Sequence, residues 1–87
     1  MGKVVKLQTI SRTKASEMIE NSKGQFMTIV FTKKNGDTRT INGNYRKGTM
    51  TKLGYFPIND MSKGEPRNVD PRKITKITSN GVTYRVR

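Results

Sequence analysis

Residues 27–43, MTIVFTKKNGDTRTING, constrain this chain more than any other stretch, because strand alternation and turn chemistry agree there. Met27, Ile29 and Phe31 alternate with Thr28, Val30 and Thr32, giving a strand one apolar face and one dominated by threonine. Lys34, Asn35, Gly36 and Asp37 then reverse the chain, and Asn35-Gly36 suits a type I′ turn, in which both central residues take positive φ. The returning arm sets Arg39 and Ile41 on one side and Thr38 and Thr40 on the other. The pattern predicts a β-hairpin, and it names no chemistry.

A second Asn-Gly, Asn80-Gly81, joins residues 74–79 to residues 82–86, where Val82, Tyr84 and Val86 alternate with Thr83 and Arg85. Between the two hairpins, residues 53–58 (LGYFPI) predict a third strand and residues 67–69 a short fourth. Pro57 belongs at an edge or a strand end, since it donates no hydrogen bond. Residues 42–51 read as a mobile loop, and residues 71–73 as a single 3₁₀ turn after Asp70. Upstream, Ser11 or Thr13 caps a short helix over residues 11–24, with Ala15, Met18 and Ile19 on one face and Gly24 as the stop. Residues 1–10 read as an arm or an edge strand.

One short helix followed by five or six short strands predicts a small SH3-like antiparallel barrel over residues 25–87, with an OB-like barrel as the alternative. The chain has 87 residues, enough for one domain, and only 31% of them are apolar, so the core is thin. With neither Cys nor His, thiol and imidazole catalysis have no residues, and most transition-metal sites lack ligands. Asp37, Asp60, Glu65 and Asp70 fall in or beside turns, where carboxylates bond nearby amides. No glycine spacing matches a phosphate-binding loop. The expectation is therefore a non-enzymatic protein without cofactor or metal. No apolar run approaches the roughly 20 residues that span a bilayer, and the first ten residues lack the apolar core of a secretory signal. A cytoplasmic protein with no membrane partner is expected.

The strand ending in Phe31, Thr32, Lys33 and Lys34, the turn at Asn35-Gly36 and the Arg39, Thr40, Ile41 return recur in a recognisable pattern. Later in the chain come Asp60, a turn through Lys63-Gly64, Arg67 before Val69, and Ile74. Together these motifs resemble the small bacteriophage-encoded proteins described as SH3 β-barrel fold-containing, a family largely of unknown function. The resemblance spans residues 26–86 and leaves the first 25 as an extension. It implies a barrel and a phage setting, and it brings no binding residues. Pro57 and Pro66 depart from it, standing where strand residues are usual.

Eighteen Lys and Arg against six Asp and Glu give a net charge of +12, a field that attracts polyanions. Candidate contacts are Lys33 and Lys34 at the hairpin tip, Arg39 on its return, and Tyr45, Arg46, Lys47 and Lys52 in the loop beyond. Tyr45 and Tyr55 are candidates to stack on bases, the alternative being that Tyr55 packs in the core and Tyr45 covers an edge. Arg72, Lys73, Lys76 and Arg85 form a second basic stripe, to which Arg67 belongs unless it turns inward beside Val69. The expected partner is nucleic acid, DNA or RNA, bound through phosphates with little sequence preference. The alternative is a phage effector that binds an acidic host protein.

Overall fold

In the computed structural model, which describes residues 8–87, the hairpin forms where the alternation places it. β1 (Gln8–Ile10) and α1 (Arg12–Glu20) precede it. β2 (Met27–Thr32) and β3 (Thr38–Tyr45) pair antiparallel from Met27 opposite Gly43 to Thr32 opposite Thr38. The turn is not the expected type I′. Gly36 takes φ of 90°, but Asn35 stays at negative φ. The Lys33 N–H donates to the Asp37 carbonyl (2.7 Å) and the Gly36 N–H to the Lys33 carbonyl (3.0 Å), which makes a longer loop with one left-handed glycine. The Asn35 side chain accepts from the Asp37 N–H and donates to the Asp37 carboxylate, both at 3.1 Å, a local bonding pattern that holds Asn35 in ordinary backbone. The other Asn-Gly does make the two-residue turn: Asn80 and Gly81 have φ of 53° and 76°, and Ser79 pairs with Val82.

β3 runs further than the sequence suggested. Asn42, Gly43, Asn44 and Tyr45, read as loop, continue the strand and pair with β2 or with β4 (Phe56–Asp60). Gly43 makes this possible, since a Cβ there would collide with the backbone carbonyl of Asn59. β4 starts later than expected, because Leu53 lies in the preceding turn with 74% of its surface exposed. β5 (Glu65–Val69) is longer than the expected 67–69 and forms one end of the sheet. Both prolines sit where a missing N–H is tolerated: Pro66 on this edge strand, Pro57 before the part of β4 that pairs with β3.

After β5 the expected 3₁₀ turn (Pro71–Lys73) leads into β6 (Ile74–Ser79), which returns to pair with β2, and β7 (Val82–Val86) completes the second hairpin. β1 adds parallel to β7. The described residues thus form one mixed seven-stranded sheet in the order β1-β7-β6-β2-β3-β4-β5. β1 and β5 are its ends, so the strands do not close into a hydrogen-bonded barrel. The expected arm over residues 1–10 is described only in its last three residues; residues 1–7 lie outside the described part.

A bulge lets β6 serve the core. Ile74 and Ile77 are both buried although three residues apart, because the register against β2 shifts between Val30 and Phe31 and leaves Thr75 as the extra residue. The Thr75 hydroxyl donates to the Val30 carbonyl at 3.3 Å. With the bulge, Met27, Ile29 and Phe31 of β2 share one cluster with Ile41, Ile58, Val69, Ile77 and Val86. Strands from both halves of the sheet meet in that cluster, so the sheet is curled around it. α1 covers the core with Ala15 and Ile19, both fully buried. Ser11 caps it, accepting from the Lys14 N–H at 3.1 Å. The helix stops before the expected Gly24, because the Ser22 hydroxyl takes the Ile19 carbonyl (2.8 Å) and Lys23 and Gly24 both turn to positive φ.

Candidate polyanion-binding cleft

Four separate elements bring basic side chains to one concavity. Lys33 and Lys34 come from the β2–β3 turn, Arg39 from β3, Arg67 from β5 and Lys73 from the 3₁₀ turn; Tyr55, just before β4, and Phe31 of β2 give the same cleft its apolar surface. Its volume is about 270 Å³. The register explains the convergence. Arg39 stands opposite Phe31 and Arg67 opposite Ile58, so both arginines lie on the core-facing side of the sheet, at the end where the apolar core gives out.

Arg67 is held by a buried carboxylate. Asp60, 5% exposed, accepts from the Ser62 hydroxyl (2.7 Å), the Ser62 N–H (3.0 Å) and Arg67 Nε (3.2 Å). Asp60 uses only Nε of the guanidinium, and its grip fixes the stem. Asp70 does the same for Arg72, which donates to it through Nε (3.0 Å) and a terminal nitrogen (3.2 Å). Among the described residues these are the two ion pairs, so Lys33, Lys34, Arg39 and Lys73 stand without a carboxylate partner.

The bonds to Asp60 set an acid limit on stability. Its carboxyl is held below the usual carboxylate value, chiefly by the Ser62 hydroxyl and then by the Ser62 amide and Arg67, against the opposing effect of burial. Asp70 is lowered likewise, chiefly by the Arg72 guanidinium. A carboxyl whose folded pKa lies below its unfolded one binds fewer protons when folded, so its contribution is present above about pH 4 and lost as pH falls through the lowered value. The melting temperature, followed by circular dichroism, is therefore expected to hold between neutrality and about pH 5 and to drop below about pH 4. Asp60→Asn should melt lower at neutral pH and show a shallower acid drop; an unchanged acid profile would remove Asp60 from this role.

The remaining expected contacts are dispersed. Tyr45 is a correction: it is 2% exposed and meets Phe56 edge-to-face, ring centroids 5.1 Å apart at 82°, so it is core and offers no face to a base. The extension of β3 carries it inward. Tyr55, not Tyr45, is the half-exposed tyrosine that lines the cleft. Arg46, Lys47 and Lys52 are exposed on the β3–β4 connection, away from the cleft lining. The second stripe splits in two. Lys73 joins the cleft and Arg72 is tied to Asp70, whereas Lys76 and Arg85 face each other across β6 and β7 on the outer side of the sheet. Arg67 turns inward, the orientation that takes it out of the stripe, where it is ion-paired to Asp60 and lines the cleft as well. The signal for it was cross-strand register, which a single strand does not display.

Among the described residues no helix is long and apolar enough to cross a membrane. Comparison of the chain with protein-family models, with curated proteins and with solved structures finds no match.

Proposed function

We propose that this chain is a non-catalytic module, SH3-like in fold, that binds nucleic acid through phosphate contacts with little sequence preference, and that the basic cleft is its contact surface. The observation that carries the reading is the convergence of five cationic side chains from four elements on one concavity, with four of them unpaired. A polyanion supplies the missing counter-charges, and Lys and Arg that neutralise phosphates release condensed counterions. The fold part rests on connectivity: a meander from β2 to β5, a 3₁₀ turn, then a strand that returns to the first of the meander.

Titration with an unstructured single strand over a range of salt tests the reading. If the four unpaired cations each neutralise one phosphate, log affinity falls against log salt with a slope of roughly −3. Affinity retained at high salt would sink it, and an acidic protein that binds while nucleic acid does not would replace it. The phage setting implied by the hairpin motif belongs to the same proposal. Virion or replication genes beside this one would support that setting, and a housekeeping operon would count against it.

A further inference from the structure

We propose that the cleft is built for single-stranded nucleic acid and admits one unstacked base onto Tyr55; this rests on the polyanion reading and says which polyanion. The cleft holds about 270 Å³, at or just below the lower end of small-ligand pockets. A duplex is a convex rod with its bases stacked inside, and it reaches only what projects. Lys34 and Lys73 project, being exposed. Lys33, Arg39, Arg67 and Tyr55 are recessed, each only partly exposed.

The recessed groups match a flexible strand. Tyr55 offers a ring and Arg67 a guanidinium plane, the two kinds of surface on which unpaired bases stack. The Asp60 grip on Nε immobilises Arg67 before any ligand arrives, so less freedom is lost on binding. The one carboxylate that lines the cleft, Asp70, is already neutralised by Arg72 and leaves the potential there positive. Phosphates on either side of the inserted base then reach Lys33 and Arg39 and the rim lysines Lys34 and Lys73.

Fluorescence anisotropy at one low salt concentration tests this with three labelled probes: oligo-dT of 12 nucleotides, an unstructured RNA 12-mer and a 12-base-pair DNA duplex. The single strands are expected to bind at least about tenfold more tightly than the duplex. Tyr55→Leu, which keeps apolar bulk but removes the ring, should weaken single-strand binding by about 5- to 150-fold and duplex binding less than about twofold. Tyr55→Phe keeps the ring and should bind as the parent does, which separates loss of stacking from loss of folding. Duplex binding as tight as single-strand binding, or an equal effect of Tyr55→Leu on both, would overturn the inference and leave the polyanion reading standing. Failure of all three probes to bind would overturn both.

Discussion

Replacing Gly43 by Ala is expected to lower the thermal midpoint by roughly 12–24 °C, if the substitution costs about 3 kcal/mol, the upper end of overpacking penalties, in a domain of this size. The new Cβ would collide with the carbonyl oxygen of Asn59 and crowd the Ile58 side chain. A flexible side chain yields to such an intrusion; a paired backbone does not. To make room, β3 and β4 must part at Gly43 and Asp60, where the two strands are in register. That pair is critical for the site as well as the sheet, because Asp60 holds both Ser62 and Arg67. Loss of polyanion binding should therefore accompany loss of stability.

Gly36→Ala is the matched control. Gly36 has φ of 90° and nothing within 4 Å of a built Cβ, so the substitution meets only backbone strain, about 1–2 kcal/mol. A smaller midpoint shift is expected, with the cleft otherwise intact. If Gly43→Ala melted as high as Gly36→Ala, the close approach of β3 and β4 would not be what requires glycine there.

The contrast between these glycines also explains how much of the molecule could be read from its sequence. Local signals carried far: the alternation of β2, the Ser11 cap, the 3₁₀ turn after Asp70 and both hairpins all arise from neighbouring residues. Where the deciding partner is distant, the sequence is mute. Asn42 to Tyr45 looks like a loop because Gly and Asn are poor strand formers, and only the backbone of Asn59, sixteen residues beyond Gly43, shows why Gly43 must be there. Tyr45 followed that error to the surface when its true neighbour is Phe56. The identical Asn-Gly pairs make different turns because Asp37 engages the Asn35 side chain, whereas Asn80 itself takes positive φ. The cleft follows the same rule. Its lysines were evident from charge and turn position, but their meeting with Arg67 and Lys73 depends on the curl of the sheet, which no local pattern encodes.

Lys33→Gln combined with Arg39→Gln is expected to weaken single-strand binding by roughly 25-fold at 0.1 M salt, since each lost phosphate contact on a single strand removes about 0.7 from the salt slope and so about fivefold in affinity at that concentration. The slope itself should flatten by about 1.4. Glutamine keeps most of the length of each side chain, so the stem of Arg39 can still cover Phe31, its cross-strand neighbour. The informative comparison is Lys76→Gln with Arg85→Gln, which removes the same two charges from the outer face of the sheet. Those two side chains are cations directly opposed across β6 and β7, an unfavourable pairing whose removal should if anything raise the melting temperature. A protein that attracts polyanions by net charge alone would respond equally to both pairs, because both change +12 to +10 by the same subtraction of two. A protein that binds in the cleft responds to the first pair and scarcely to the second. Equal losses, measured by anisotropy on the same labelled strand, would move the contact from the cleft to the general field of the molecule.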